Sequence, residues 1–191
     1  MKTFVIANNY SPVKTPFNLG WYFLTDSAIS NTGKPFYLPE NLGKTSVQLG
    51  LAIRFSRLGK GILPEYASRY YSEYAPVLHF TLPEYADRLK ENGLPEDAAR
   101  NFDRSLIVGE FKEKNSFEIF TLKMNGESKS IFDIEKLNLN VDDIIFSVSR
   151  MNTIKIGDLI IPGLNGNFEI KEGDFLEVFQ GEERSFYVKV K

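Results

Sequence analysis

The stretch Val47-Gln48-Leu49-Gly50-Leu51-Ala52-Ile53-Arg54-Phe55 carries the reading of the chain. Five large apolar side chains stand at every second position, with Gln48, Gly50, Ala52 and Arg54 between them. Successive side chains of a strand point to opposite faces, so this alternation predicts a strand with one buried face rather than a helix of period 3.6. Toward the amino end, residues 2–7 carry Phe4-Val5-Ile6, and Trp21-Tyr22-Phe23-Leu24 is a second short run; both read as strands. Toward the carboxyl end, residues 117–131 read as a hairpin turning at Asn125-Gly126, a pair that tolerates the positive φ of a tight turn. Phe186, Val188 and Val190 alternate with Tyr187, Lys189 and Lys191 in a last strand. Lys155-Ile156-Gly157-Asp158 and Lys171-Glu172-Gly173-Asp174 each introduce an apolar run through a turn, alike but too short to define a repeat.

Helical signals lie between these strands. Pro64, Pro83 and Pro95 are each followed directly by Glu, which suits the first turn of a helix, and Gly93 closes the second. Val141, Ile144, Ile145, Val148 and Met151 form one apolar stripe, with Asn140 as the cap. Asp142 and Asp143 then fall in the first turn, where carboxylates complement the helix dipole instead of forming an acid–base pair. Strands, short helices and strands again define an α+β chain with a dominant antiparallel or mixed sheet.

Composition narrows the chemistry. A chain of 191 residues with 42% hydrophobic and 25% charged residues forms one domain with a core of its own. A formal charge of -2 offers no basic excess for phosphates, so nucleic acid is not an expected partner. The apolar run after Lys2 is too short for a signal peptide or a membrane span, which makes the cytoplasm the expected location. With no cysteine and one histidine, disulfides, thiolate sites and multi-histidine metal sites are excluded.

Several strings stand in a common order and spacing: Asn9-Tyr10 after the first strand, Lys34-Pro35-Phe36-Tyr37-Leu38-Pro39, Tyr70-Tyr71-Ser72-Glu73, Phe80-Thr81, Lys90-Glu91-Asn92-Gly93-Leu94-Pro95 and Phe102-Asp103. Asn125-Gly126-Glu127 and the two Gly-Asp turns continue the series. With these, residues 1–191 resemble the fumarylacetoacetate hydrolase family in its bacterial, short single-domain form. The resemblance implies a mixed β-sheet roll with short peripheral helices and a homodimer. It also implies a magnesium or manganese site that serves to cleave or decarboxylate β-dicarbonyl compounds.

It further implies where that site would lie, and there this chain departs from the family. The two glutamates that hold the metal fall on Ser46 and Gln48, and the aspartate that completes the set falls on His79. Magnesium favours anionic oxygen ligands, so this neutral set should bind it poorly, and zinc would need more strong ligands than His79 alone. The family's water-activating His and Glu fall on Val13 and Pro16, neither of which carries a proton. Its active-site lysine falls on Arg100, which keeps the charge but stays protonated. Its Arg-Asp pair becomes Pro83-Glu84, and its substrate loop becomes Pro162-Gly163-Leu164-Asn165. Gly163-Leu164-Asn165-Gly166 lacks the Lys-Ser/Thr ending of a phosphate loop and reads as an ordinary turn.

The expectation is a degenerate, non-catalytic scaffold that binds a small ligand or a protein partner, the latter an active paralogue at the dimer surface. Its pocket would be built from Ser46, Gln48, His79, Glu84 and Arg100, with no metal or other cofactor and no membrane contact. Arg100 would supply fixed positive charge, and His79 a second charge at mildly acid pH, which suits a small carboxylate or phosphate. The alternative is a hydrolase or decarboxylase of a β-dicarbonyl, acylpyruvate-like substrate with a relocated active site. That reading needs His79 to converge with Glu84 or Asp87 and Arg100.

Overall fold

The structure is a computed structural model that describes residues 1–10 and 20–191, apart from the side chain of Ser116. In chain order the strands are β1 (Thr3–Ile6), β2 (Trp21–Leu24), β3 (Ile29–Asn31), β4 (Thr45–Phe55), β5 (Tyr71–Thr81), β6 (Leu106–Val108) and β7 (Lys112–Glu113). They continue as β8 (Phe120–Met124), β9 (Glu127–Phe132), β10 (Leu159–Ile161), β11 (Leu164–Ile170), β12 (Phe175–Gln180) and β13 (Glu183–Lys189). The helices are α1 (Pro64–Ala67), α2 (Pro83–Glu91) and α3 (Val141–Met151).

Nine strands form one curled sheet in the order β2-β1-β10-β4-β5-β6-β3, with β11 added to β4 and β7 to β5. A second sheet runs β13-β12-β8-β9. The large sheet is mixed, because β1 with β10 and β3 with β6 are parallel while its other pairs are antiparallel. The architecture is thus α+β, a mixed sheet roll with few helices. Among the described residues, no helix is long and apolar enough to cross a membrane.

β4 lies at the centre of this sheet, and that corrects the expectation of a single buried face. It pairs with β5 along its length, from Ser46 opposite Thr81 to Phe55 opposite Tyr71, and its other edge is shared by β10 and β11. Val47, Leu49, Leu51, Ile53 and Phe55 point into the larger core, beside Phe36, Phe80 and α3. Of the alternate positions, Gly50 and Ala52 are buried too, while Gln48 and Arg54 are half-buried; Ala52 packs with Val5, Ala75, Val77 and Ile161 in a second cluster. A Cβ on Gly50 would stand 2.7 Å from the Gly163 carbonyl oxygen. In the middle of the strand, at Gly50 and Ala52, the alternation therefore encodes large against small side chains, set by how closely each face is approached.

α1 and α2 begin at Pro64 and Pro83 as expected. Pro95 begins no α-helix; one 3₁₀ turn at Asp97–Ala99 follows it. The Ala99 carbonyl accepts from Leu82 N at 2.9 Å, which binds this segment to the end of β5 instead of to a following turn of helix. In α3 the Asn140 Oδ1 cap accepts from Asp143 N at 2.9 Å, and Val141, Ile144, Ile145 and Val148 are buried. Met151, at the last helical position, is exposed instead of completing the stripe, because the chain leaves the helix there to bury Ile154. Asn125 and Gly126 adopt φ of 54° and 85°, the turn expected between β8 and β9.

The two Gly-Asp turns share one construction. Asp158 Oδ2 accepts from Lys155 N and Asp174 Oδ2 from Lys171 N, both at 2.9 Å. The second oxygen of each then pins a distant segment: Asp158 Oδ1 accepts from Lys2 N at 2.8 Å, and Asp174 Oδ1 from Asn125 Nδ2 at 2.9 Å.

Candidate functional site

The register of β4 against β5 sets the chemistry of one face. Gln48 lies opposite His79 and Ser46 opposite Thr81, so these four side chains project to the same side of the sheet. On that side lies a cleft of about 520 Å³, closed laterally by the chain after β1, by Tyr22 of β2, by α2 and the turn that follows it, and by β11. Gln48, Thr81, Asp87, Glu96, Arg100 and Asn165 are among its lining residues.

Of the five pocket residues read from the sequence, Gln48 and Arg100 line the cleft. Ser46 and His79 share the face of Gln48 but are buried, at 5% and 0% exposure, and do not line it. Glu84 lies elsewhere, a correction to the sequence reading. The first turn of α2 turns it outward, where its Oε2 is 3.4 Å from Lys44 N beside Gly43. Val13 and Pro16 lie outside the described residues.

His79 is a buried, hydrogen-bonded residue, and what it does not supply is the expected second charge. Its Nε2 is 3.1 Å from the Arg100 carbonyl oxygen. A carbonyl only accepts, so Nε2 carries the proton, and Nδ1 is a bare acceptor, buried without a partner among the described residues. Burial holds the imidazole pKa down to about 4, against the hydrogen bond to the Arg100 carbonyl and with the help of the Arg100 charge. The ring is therefore neutral at mildly acid pH and contributes no second positive charge.

Arg100 is fixed from two sides. Its Nη2 is paired with Glu96 Oε2 four residues earlier, across the 3₁₀ turn, and its guanidinium lies 5.4 Å from the centre of the Tyr22 ring. Burial raises the Tyr22 phenol above its ordinary range, only partly offset by Arg100, so its hydroxyl keeps its proton. Glu96 and Tyr22 were not singled out from the sequence. The i, i+4 spacing of Glu96 and Arg100 was a legible signal, whereas nothing in the β2 run marks Tyr22 as a cleft residue.

The cleft wall presents acceptors. Gln48 Nε2 donates to the Gly166 carbonyl at 3.0 Å and Asn165 Nδ2 to the Ile131 carbonyl at 2.7 Å. Both amides are oriented by these carbonyls, and among the described residues neither side-chain oxygen has a donor. Ser46, Gln48 and His79 are neutral, and among the described residues no three His, Asp or Glu side chains converge as a metal site. With a guanidinium beside His79 as well, this donor set does not fit magnesium or manganese.

Solved structures of fumarylacetoacetate hydrolase type share this rolled sheet. Fumarylpyruvate hydrolase from Pseudomonas aeruginosa, in complex with Mn2+ and pyruvate, superposes with a TM-score of 0.90 at 20% identity, covering 100% of this chain and 89% of that one. The 5-carboxymethyl-2-hydroxymuconate delta-isomerase of Mycobacterium smegmatis gives 0.86 at 18% identity, covering 99% and 78%. The chain belongs to the fumarylacetoacetate hydrolase family, whose model, Fumarylacetoacetate (FAA) hydrolase C-terminal, matches residues 4–181. It is 29% identical over 158 residues to the mitochondrial oxaloacetate tautomerase FAHD1 of Rattus norvegicus, covering 79% of this chain and 71% of that protein. To the oxaloacetate tautomerase YcgM of Escherichia coli it is 22% identical over 160 residues, covering 80% and 73%. These relatives are enzymes, which favours the enzymatic alternative over the non-catalytic reading.

Proposed function

We propose that this family member binds a small carboxylate at Arg100 and does so without a divalent metal. The observation that carries the reading is the guanidinium of Arg100, held by Glu96 and the Tyr22 ring at the edge of a cleft where neutral Gln48 faces the ligand. A guanidinium presents five donors, so the Glu96 pair leaves others for a ligand carboxylate. The names of the relatives supply the ligand class: oxaloacetate and fumarylpyruvate are small oxo-carboxylates. Hydrolysis or decarboxylation of such compounds calls for an electrophile to hold an enolate and, for hydrolysis, a base to activate water. Neutral Ser46, Gln48 and His79 replace the first of these. The homodimer belongs to the same proposal, and light scattering should return twice the 21.8 kDa chain mass.

A second reading, turnover, is favoured by the relatives being enzymes. Keto–enol exchange is the least demanding reaction their names contain, since it moves one proton and breaks no bond between heavy atoms. In the cleft, the Glu96 carboxylate would take the carbon-bound proton as the Tyr22 hydroxyl passes its own to the carbonyl oxygen, and solvent would then return the proton from the Glu96 carboxyl to the Tyr22 phenolate.

Calorimetry on chelator-treated protein tests both. Pyruvate and oxaloacetate should bind in EDTA, with binding lost in Arg100→Ala; binding that appears only with Mn2+ would overturn the metal-free reading. Enol absorbance of oxaloacetate followed in EDTA decides turnover: acceleration that disappears in Tyr22→Phe establishes the second reading, and a rate equal to buffer dismisses it.

A further inference from the structure

We infer that the ligand of this cleft carries a cationic nitrogen beside its carboxylate, so that small amino acids are favoured over the corresponding 2-oxo acids. This rests on the carboxylate-binding reading and narrows it. The argument begins with charge. Among the described lining residues one cation, Arg100, faces two carboxylates, Asp87 and Glu96. Glu96 is already paired with Arg100, and Asp87 has no ion pair among the described residues. A dianionic oxo acid would bring further negative charge toward Asp87 with no second cation among the described lining residues to receive it, and like charges placed together act against binding.

The hydrogen-bonding wall makes the same selection. Gln48 and Asn165 each commit an amide N–H to a backbone carbonyl, of Gly166 and of Ile131, at 3.0 and 2.7 Å. Their oxygens and the Asp87 carboxylate are acceptors that an oxo group, itself only an acceptor, leaves unpaired even where the Tyr22 hydroxyl donates to it. An ammonium offers three donors and a positive charge, and it complements all of these groups while its carboxylate meets the free donors of Arg100. The resemblance assigns the Gln48 position to a ligand of the family's metal. Here the ligand's own cation would stand against that wall. At about 520 Å³ the cleft has room for an amino acid with its side chain.

The test uses two pairs of compounds that differ only at the second carbon: alanine against pyruvate, and glutamate against 2-oxoglutarate. Calorimetry on the full chain in EDTA should find each amino acid bound at least about tenfold tighter than its oxo partner, the difference expected of one charge-assisted hydrogen bond. Asp87→Asn, at an exposed position, should leave the melting temperature of the free protein unchanged, weaken the amino acids and close the gap within each pair. Arg100→Ala should weaken all four compounds. If the oxo acids bind as tightly as the amino acids and are lost in Arg100→Ala, the inference falls and the carboxylate reading stands. If none of the four binds, both fall. An amino-acid preference that survives Asp87→Asn undiminished, or binding of neutral glucose in place of alanine, also overturns the inference.

Discussion

Lowering the pH from 7 to 5 should cost this protein stability through His79, and His79→Gln should remove that component. The ring is fully buried, its pKa is held near 4 in the fold, and the ordinary value is 6.5. A folded value below the unfolded one means that the unfolded chain binds the proton first as pH falls. The His79 contribution is thus complete above about pH 6.5 and is lost on the way down to about pH 4. Each pH unit in that window removes about 1.4 kcal/mol, so the full crossing is worth about 3 kcal/mol and the step to pH 5 about 2 kcal/mol. For a domain of this size the latter lowers Tm by about 4–8 °C. Carboxylates titrate in the same range, so the readout is the difference between wild type and His79→Gln in urea unfolding at pH 7.5, 6.5, 5.5 and 5. The Gln side chain keeps an N–H for the Arg100 carbonyl and removes the titration. Because the chain has one histidine, its imidazole resonance can be followed directly and should not move above pH 5. A wild-type-minus-variant difference that is flat with pH, or a resonance titrating near 6.5, refutes the reasoning.

Asp158→Ala and Asp174→Ala should each destabilise by about 2–3 kcal/mol, since each strips two hydrogen-bond donors of a partly or fully buried acceptor; urea midpoints within a few tenths of wild type would contradict this. Gly50→Ala drives a Cβ to 2.7 Å from the Gly163 carbonyl, which forces β4 and β11 apart and should cost about 1–3 kcal/mol in the same assay. Phe36→Ala removes a ring stacked at 3.8 Å on Phe80 in the core, and a loss of about 3–5 kcal/mol is expected by calorimetric melting. Magnesium or manganese at millimolar concentration should leave Tm within a degree of the chelated protein, because Ser46, Gln48 and His79 offer no anionic ligand; a saturable rise would show that the ion binds the fold.

Much of the fold was legible because local and global signals agree. The β4 alternation, the Asn125-Gly126 turn and the Asn140 cap each follow from the backbone geometry the residue itself prefers, and each is found in place. Pro95 failed as a helix start because a long-range bond, Leu82 N to the Ala99 carbonyl, claims an acceptor that a helix would use. The second buried face of β4 was hidden because Gly50 and Ala52 are small for reasons set by Gly163, Val5 and Ile161, residues far off in sequence. In the site, strand period placed Ser46 and Gln48 on one face and the resemblance added His79, which the register sets opposite Gln48; neither carries depth, and only packing decides that Gln48 reaches the cleft while His79 is sealed beneath it. Glu84 was misplaced because its helix turns it toward Gly43, an orientation no adjacent residue announces.

The parallel pairing of β1 with β10 joins Thr3 to Leu159 and Val5 to Ile161, and Leu159 N closes onto the Lys2 carbonyl at 2.9 Å. On the ribosome, β1 and β2 must then wait as a two-stranded ribbon, marginal in water, until more than a hundred further residues have emerged. Through that interval Phe4, Val5 and Ile6, fully buried in the finished sheet, stand open to other nascent chains. Such non-local closure places the protein among high-contact-order folds that mature in milliseconds to seconds. Its exposure to aggregation is therefore greatest during synthesis, and chaperone capacity should limit soluble yield more than the stability of the completed fold does.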